Sequence, residues 1–137
     1  MMETMSSRMT TGEYTCWRRL AGEDRWSLYL KDTADYGAPA RKILDPLEID
    51  PSGKTNISGV YFNKGAKIMA YTLSVAGSDK NTIHFVNMKT GKPMRLKYPA
   101  TRSWRDGITW EKGGKSFTYI RPKAGLEKSF EVMRHIM

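Results

Sequence analysis

Residues 59–67 read GVYFNKGAK and residues 107–115 read GITWEKGGK, so one stretch occurs twice, beginning at Gly59 and again at Gly107. Both copies keep Gly, Lys, Gly and Lys at the same places, and a tyrosine follows each copy at Tyr71 and Tyr119. A repeat of roughly 40 to 50 residues with strand-like contents is typical of the blades of a β-propeller. The repeat therefore predicts a chain built from similar β-sheet units.

A second marker, Ala-Gly-x-acid-base, supports the same repeat. It reads AGEDR at residues 21–25, AGSDK at 76–80 and AGLEK at 124–128. The step from the second copy to the third equals the step from Gly59 to Gly107, and the step from the first copy to the second is slightly longer. Chance similarity between hairpins that contain Gly and Lys is the alternative explanation. Two separate markers that share one step favour a true repeat.

The segments between the markers have the composition of β-strands. Residues 67–73 and 82–88 are rich in β-branched and aromatic residues, and residues 116–120 alternate polar with apolar. No sustained helical spacing of apolar residues occurs. One complete four-stranded antiparallel unit, the arrangement of a blade, has its strands near Val60, Met69, Phe85 and Arg95. We therefore predict an all-β chain.

The predicted fold class is an incomplete β-propeller of about two and a half four-stranded antiparallel blades, because closed propellers have four to eight. We expect a disordered leader at residues 1–12 and a partial propeller at residues 13–137, with blade breaks near residues 50 and 100. In this interpretation the first unit lacks its first strand and the third ends after its third strand. Open strand edges near Tyr14 and Val132 then predict self-association.

The positive charge supports a function of another class. Lys and Arg number 23 against 14 Asp and Glu, a net charge of +9. A basic β-sheet module that binds an acidic partner or nucleic acid is one explanation, with Trp17-Arg18 and Trp104-Arg105 as aromatic and basic neighbours. The basic residues are spread along the chain, so we favour a solvated sheet exterior over nucleic-acid binding.

Cysteine content and apolar runs bear on the compartment. The single Cys16 excludes an intrachain disulfide. Residues 1–8 have no apolar core of a signal peptide, so we expect a cytoplasmic location. No run of 18 apolar residues occurs, and we expect no membrane partner.

The sequence offers no set of residues for catalysis or cofactor binding. A Gly-x-Ser-x-Gly nucleophile elbow does not occur in the 137 residues, and His84 and His135 have no serine or cysteine partner in a recognisable motif. The stretch at residues 113–116, GGKS, lacks the earlier glycine of a phosphate-binding loop because Thr109 occupies that position. We therefore predict no catalytic residue, no metal site and no cofactor.

Several weak motifs follow one another in an order that is similar to one family. They are ILDP at residues 43–46, AYTLSVAGSD at 70–79, TIHF at 82–85 and ITW at 108–110. In this order they resemble the N-terminal part of the propeller of prolyl oligopeptidase, a serine peptidase with an α/β-hydrolase catalytic domain. The chain departs from the family pattern at several positions: Leu47 replaces an Asn, Lys80 replaces a frequent Trp, and Asn63-Lys64 and Glu111-Lys112 replace acidic turn residues.

The resemblance implies a non-catalytic part of a larger peptidase. In the family the propeller caps the active site and restricts access to short peptides, so the implied partners are a peptidase catalytic domain or complementary blades. By resemblance, Trp104 lines the substrate cavity and Asp79 contacts the catalytic domain. The alternatives are a loop aromatic packed on its own blade for Trp104 and a hairpin-turn residue for Asp79.

Overall fold

A computed structural model describes residues 1–75, 81–100, 108–122 and 130–137, with the backbone alone at 96–100, 120–122 and 130–131. Twelve β-strands within these residues form three antiparallel sheets, and the one α-helix has four residues. The all-β prediction is confirmed. The chain divides into two compact units, Met1–Thr55 and Asn56–Met137.

The first sheet lies in the first unit. Its strands are β1 (Met2–Glu3), β2 (Ser7–Arg8), β3 (Tyr14–Arg19), β4 (Ser27–Lys31) and β5 (Ala40–Leu44). The order is β1-β3-β4-β5, and β2 also pairs with β3. Because β1 and β2 follow each other along the same side of β3, they occupy the position of a first strand.

Residues 1–12, where the sequence predicted a disordered leader, thus contribute two short strands. The backbone of Thr4 reinforces this pairing, since its N–H donates to the carbonyl of Trp17 at 2.9 Å. The edge that we expected to be open near Tyr14 is covered, because Arg8 pairs with Tyr14. Two strands of two residues each are too short to produce the alternation by which a strand is recognised in a sequence.

A one-turn helix, α1 (Pro46–Ile49), follows the first sheet. Asp45 caps it, since its Oδ1 accepts a hydrogen bond from the N–H of Leu47 at 2.9 Å. A backbone N–H at the first helical position has no partner within the helix, so proline, which lacks an N–H, is favourable there. The ILDP motif therefore contains the end of β5 and the start of the helix that follows it in the sequence.

The second sheet is a four-stranded meander. Its strands are β6 (Thr55–Phe62), β7 (Ile68–Val75), β8 (Asn81–Asn87) and β9 (Lys92–Ala100), in the order β6-β7-β8-β9. Ala70 lies opposite Phe85, and Tyr71 lies opposite His84. These strands contain the four positions that the sequence predicted for a complete blade.

The third sheet has three strands in the described part of the chain: β10 (Thr109–Trp110), β11 (Ser116–Pro122) and β12 (Phe130–Ile136). Trp110 lies opposite Phe117, which in turn lies opposite His135. The tight turn before β11 includes Gly114 at φ +71°, in the left-handed region that glycine adopts without strain. The second copy of the repeat is thus a hairpin like the first.

One apolar core joins the second and third sheets. Its buried members are Ala70, Ile83, Phe85, Ile108, Phe117 and Tyr119. The rings of Phe85 and Phe117 lie 5.2 Å apart between centroids, within the range of favourable aromatic pairs. Burial of a phenylalanine side chain contributes about 1.5–3 kcal/mol, so these two rings are major terms in the stability of the second unit.

Candidate functional site

The inner-strand face, formed by β6 and β10, is the candidate site in the second unit. Each of these strands is the first of its sheet, the position that borders the central channel in a propeller. Every residue of β6 after Thr55 is half-buried, whereas β7 is buried from Met69 to Leu73. A strand that is half-exposed along its whole length borders open space and is available to a ligand.

Trp110 holds the two inner strands together. Its indole Nε1 donates a hydrogen bond to the carbonyl of Tyr61 at 3.1 Å. The same ring packs edge-on against Phe117 at 5.4 Å and against Phe85 at 6.3 Å. One side chain of the repeat therefore satisfies a polar group on β6 and fills the core between the sheets.

Gly59 makes room for a neighbouring side chain on β6. A Cβ at this position would lie 2.5 Å from the phenolic oxygen of Tyr61, so the tyrosine ring would have to shift. Ser58, also on β6, has its hydroxyl 2.8 Å from that of Thr72 on the adjacent strand β7 and donates to the carbonyl of Thr72 at 3.2 Å. Close packing thus fixes the conformation of the middle of β6.

Asn63 connects the two copies of the repeat. Its buried side-chain amide donates through Nδ2 to the carbonyl of Gly114 at 3.0 Å. Its Oδ1 accepts from the N–H of Ile68 at 2.8 Å. The amide therefore closes its own turn and anchors the corresponding turn of the next sheet.

The two site residues that the resemblance indicated, Asp79 and Trp104, lie outside the described residues. Asp79 falls between β7 and β8, and Trp104 falls between β9 and β10. Their roles stay predictions.

The cysteine and the two histidines of the chain lie in β-strands, Cys16 in β3, His84 in β8 and His135 in β12. Burial is the main cause that raises the pKa of the Cys16 thiol, which keeps it protonated and unreactive. His84 stacks on Tyr71 at 5.4 Å, and its Nε2 lies 2.8 Å from the hydroxyl of Thr82. His135 packs on Phe117 at 5.5 Å. Both imidazoles are therefore engaged within their sheets.

No group of three or more His, Cys, Asp or Glu side chains that could hold a metal ion occurs in the described part of the chain. Within that part, no helix has the length and apolarity to cross a membrane.

The first unit contains a buried ionic cluster that sequence reasoning missed. Arg18 Nε lies 2.6 Å from Glu3 Oε2, and Lys31 binds the other carboxylate oxygen of Glu3. The side chains of Glu3 and Lys31 are 1% and 0% exposed. Lys31 Nζ also donates to the carbonyl of Asp35 at 2.8 Å. No local sequence pattern predicts this cluster, because Arg18 and Lys31 follow Glu3 by 15 and 28 residues along the chain.

Repeated antiparallel meanders define the class of this chain, an incomplete β-propeller. The profile of the family described as "Prolyl oligopeptidase, N-terminal beta-propeller domain" matches residues 2–137. The chain therefore belongs to this family.

Two curated relatives are prolyl endopeptidases. The chain is 31% identical over 136 residues to that of Elizabethkingia meningoseptica and 29% identical to that of Elizabethkingia miricola. In each case the match covers 97% of this chain and 19% of the relative. The chain thus spans about a fifth of the length of these relatives.

Solved structures show the same fold. The chain matches prolyl oligopeptidase B of Galerina marginata with a TM-score of 0.81 at 16% identity, over 98% of this chain and 21% of that one. It matches oligopeptidase B of Leishmania major with a TM-score of 0.78 at 17% identity, over 98% and 19%. The prediction of a propeller related to prolyl oligopeptidase is confirmed.

Proposed function

We propose that this chain is the substrate-gating propeller segment of a prolyl-oligopeptidase-like serine peptidase and hydrolyses nothing by itself. The observation that carries the proposal is the family match over residues 2–137, together with inner strands that are half-exposed beside a packed core. In this role the blades border the path of a peptide, and the chemistry takes place in a separate catalytic domain.

The absence of activity follows from the chemistry that peptide hydrolysis needs. A serine hydrolase requires a nucleophile, a base and an oxyanion hole in one place, and the 137 residues contain no Gly-x-Ser-x-Gly. We expect no turnover of a fluorogenic proline-containing peptide by the purified chain. Hydrolysis that an active-site titrant stops in proportion to the protein present would overturn this part of the proposal.

The gating role is testable in a chimera. Residues 2–137 replace the matched segment of the Elizabethkingia meningoseptica prolyl endopeptidase, and cleavage of a short proline-containing peptide is compared with cleavage of an unfolded protein. We expect the chimera to cleave the peptide and spare the protein. Trp110→Ala, which loosens the two inner strands, should admit longer substrates, whereas the exposed Tyr36→Ala should not.

A chimera that folds and cleaves both substrates equally would contradict gating by this segment. The same chimera tests the two residues known by resemblance alone. We expect Trp104→Ala to raise KM for the short peptide and Asp79→Asn to weaken attachment of the catalytic domain. An unchanged KM in Trp104→Ala would contradict the role of Trp104, and unchanged attachment of the catalytic domain in Asp79→Asn would contradict that of Asp79.

Partners follow from the same proposal. The described part of β12 is an edge strand whose outward residues Val132 and Ile136 are 72% and 64% exposed. Exposed edges with apolar side chains recruit further strands, so we expect the isolated chain to self-associate unless a catalytic domain or complementary blades are supplied. Light scattering on dilute protein decides this: a stable monomer with a cooperative thermal transition would contradict it.

We also propose a cytoplasmic location, which the single reduced Cys16 supports. Fractionation of the source cells with an antibody against the chain tests the location. Recovery in the secreted fraction would overturn it.

A further inference from the structure

Positive charge is concentrated in one of the two compact units. Residues 1–55 contain 8 Lys and Arg against 9 Asp and Glu, whereas residues 56–137 contain 15 against 5. The net charge is therefore −1 for the first unit and +10 for the second. A field of one sign over so small a unit attracts anions and disfavours cationic partners.

Three turns of the second unit present lysines. They are the turn before β7 with Lys64 and Lys67, the turn before β9 with Lys89 and Lys92, and the turn before β11 with Lys112 and Lys115. All six side chains are exposed. We call these six residues the lysine rim.

The first two turns lie side by side at one edge of the second sheet. Ile68 pairs with Asn87, and Asn87 pairs with Lys92, so the strand ends that these turns join are abreast. The N–H of Met88 donates to the carbonyl of Lys67 at 2.9 Å, which ties the turns together directly. Because neighbouring strands are about 4.8 Å apart, the lysines of these turns share one small surface.

The third turn is fastened to the same edge. Asn63 donates to the carbonyl of Gly114 at 3.0 Å. The turns are also so close that a Cβ on Gly114 would lie 3.2 Å from the Cβ of Lys64. The two copies of the repeat, although distant in the sequence, thus bring their lysines to one place in the fold.

The turns themselves are held in one conformation. Asn87 Oδ1 accepts from the N–H of Lys89 at 2.9 Å and from that of Thr90 at 3.3 Å. Gly91 has φ +71°, and its N–H donates to the carbonyl of Asn87 at 2.8 Å. The lysines therefore extend from fixed backbone positions, which lowers the entropy lost on binding.

No acidic side chain neutralises the rim within the described residues. Glu111, which is next to Lys112, binds Arg134 through both carboxylate oxygens at 2.6 and 2.8 Å. Those hydrogen bonds and that of Ser116 lower the pKa of Glu111 to about 2. Glu111 is thus committed to Arg134, and none of the ion pairs among the described residues includes a rim lysine.

The chemistry of the rim favours carboxylates over nucleic acid. Single strands bind to exposed aromatic platforms, whereas the aromatic side chains of the second unit are buried or half-buried wherever the structure describes them. Trp110, the aromatic side chain adjacent to the third turn, is committed to Tyr61 and the core. The rim also lacks arginine, the residue that forms bidentate hydrogen bonds with phosphates and guanine.

We propose that the lysine rim is a docking surface for an acidic peptide segment, one rich in Asp and Glu. An extended peptide of about six to eight residues is roughly 20–26 Å long, since each residue advances about 3.3 Å. The carboxylates pair with lysine ammonium groups that otherwise repel one another. The proposal does not rest on the gating role, because no peptidase step enters it.

The test is a binding titration with the full chain. A fluorescein-labelled peptide of about eight residues that alternates Glu with Ser is the probe, and fluorescence anisotropy is the readout. We expect binding that weakens steeply between about 0.05 M and 0.2 M salt, because the Debye length shortens over that range. A peptide with Gln in place of Glu and an oligo-dT of equal charge are compared with it.

Two variants with the same change in charge distinguish the effect of the lysine rim on binding from that of the net charge. Lys64→Gln/Lys89→Gln/Lys112→Gln removes one lysine from each turn, and its matched control removes three exposed cations of the first unit, Arg8→Gln/Arg41→Gln/Lys54→Gln. We expect the rim variant to weaken binding by at least about fivefold and the control by less than about twofold. The sextuple Gln variant should abolish the salt dependence.

Equal losses in the rim and control variants would overturn the proposal, as would absence of binding at low salt. Tighter binding of oligo-dT than of the acidic peptide would replace it with a nucleic-acid site. Circular dichroism of each variant confirms the fold, and all substituted side chains are exposed, so the triple variant tests the proposal even if the sextuple variant unfolds.

Discussion

Replacement of Glu3 by glutamine tests whether the N-terminal residues are a structural part of the first sheet. The carboxylate of Glu3 is the shared anion of Arg18 and Lys31, and the side chain of Lys31 is fully buried. Glu3→Gln leaves two buried cations without their anion, a change that costs about 3–5 kcal/mol. Domains of this kind have total stabilities of about 5–15 kcal/mol, so the variant should lose a large fraction of its stability.

A second ion pair provides the matched control. Lys42 Nζ lies 2.9 Å from Asp45 Oδ2, but the lysine side chain is 32% exposed and can be solvated when the pair is broken. Lys42→Gln should therefore cost less than about 1 kcal/mol. Replacement of the whole cluster by Leu and Met, which removes the anion and both cations together, should cost less than Glu3→Gln alone.

Urea unfolding followed by the fluorescence of Trp17 and Trp26, which both lie in the first unit, measures these differences. The free energy of unfolding of Lys42→Gln should lie within about 1 kcal/mol of the wild-type value. If that of Glu3→Gln also lies within this range, the N-terminal residues are not held in the sheet by a buried ion pair.

The same cluster predicts a dependence on pH. Burial alone would raise the pKa of Glu3, but the hydrogen bonds from Lys31, Arg18 and the N–H of Gly37 outweigh it and hold that pKa below its ordinary value of 4.5. A carboxyl whose pKa is lower in the folded state stabilises the fold above the unfolded value, and this stability is lost as the pH falls through the folded value. The wild type should therefore be more stable than Glu3→Gln at pH 7, and the difference should shrink below pH 4.5. A difference that is unchanged in acid would contradict the ionic explanation.

Three further substitutions and one control substitution test the second unit. Phe117→Ala empties the fully buried centre of the core and should cost about 3–5 kcal/mol in thermal or urea unfolding, whereas Val132→Ala, at a 72% exposed position, should change stability by less than about 0.5 kcal/mol. Asn63→Ala leaves the carbonyl of Gly114 and the partly buried N–H of Ile68 without their partner and should cost about 1–3 kcal/mol. A smaller loss would mean that water replaces the amide. Gly59→Ala places a methyl group where the Tyr61 hydroxyl lies and should lower the unfolding midpoint, and an unchanged midpoint would show that the tyrosine moves without cost.

Much of the second sheet was predictable because its determinants are local. The β-branched and aromatic residues around Met69 and Phe85 define the strands, and glycines with positive φ such as Gly91 define the turns. The repeat also predicted that the second and third sheets are similar, since the turn sequence that follows Phe62 occurs again after Trp110. The ordered series of motifs indicated the family, and the profile match confirmed it.

The N-terminal strands were not predictable from the residues that form them. Met2–Glu3 and Ser7–Arg8 carry no strand-like pattern, and their order comes from β3 and from the cluster around Glu3. Such contacts join residues that are distant in the sequence, so no local window contains them.

Strand pattern, turn chemistry and motif order are local properties, so the amino-acid sequence alone predicts antiparallel blades of the prolyl oligopeptidase family without a nucleophile elbow. Which charges meet depends on the folded chain. Lysines that are spread over residues 64–115 gather at one edge of the second unit, whereas Glu3, Arg18 and Lys31 gather in the interior of the first. The physical reason is that charges act through space, and folding brings residues within a few ångströms that the chain keeps dozens of residues apart.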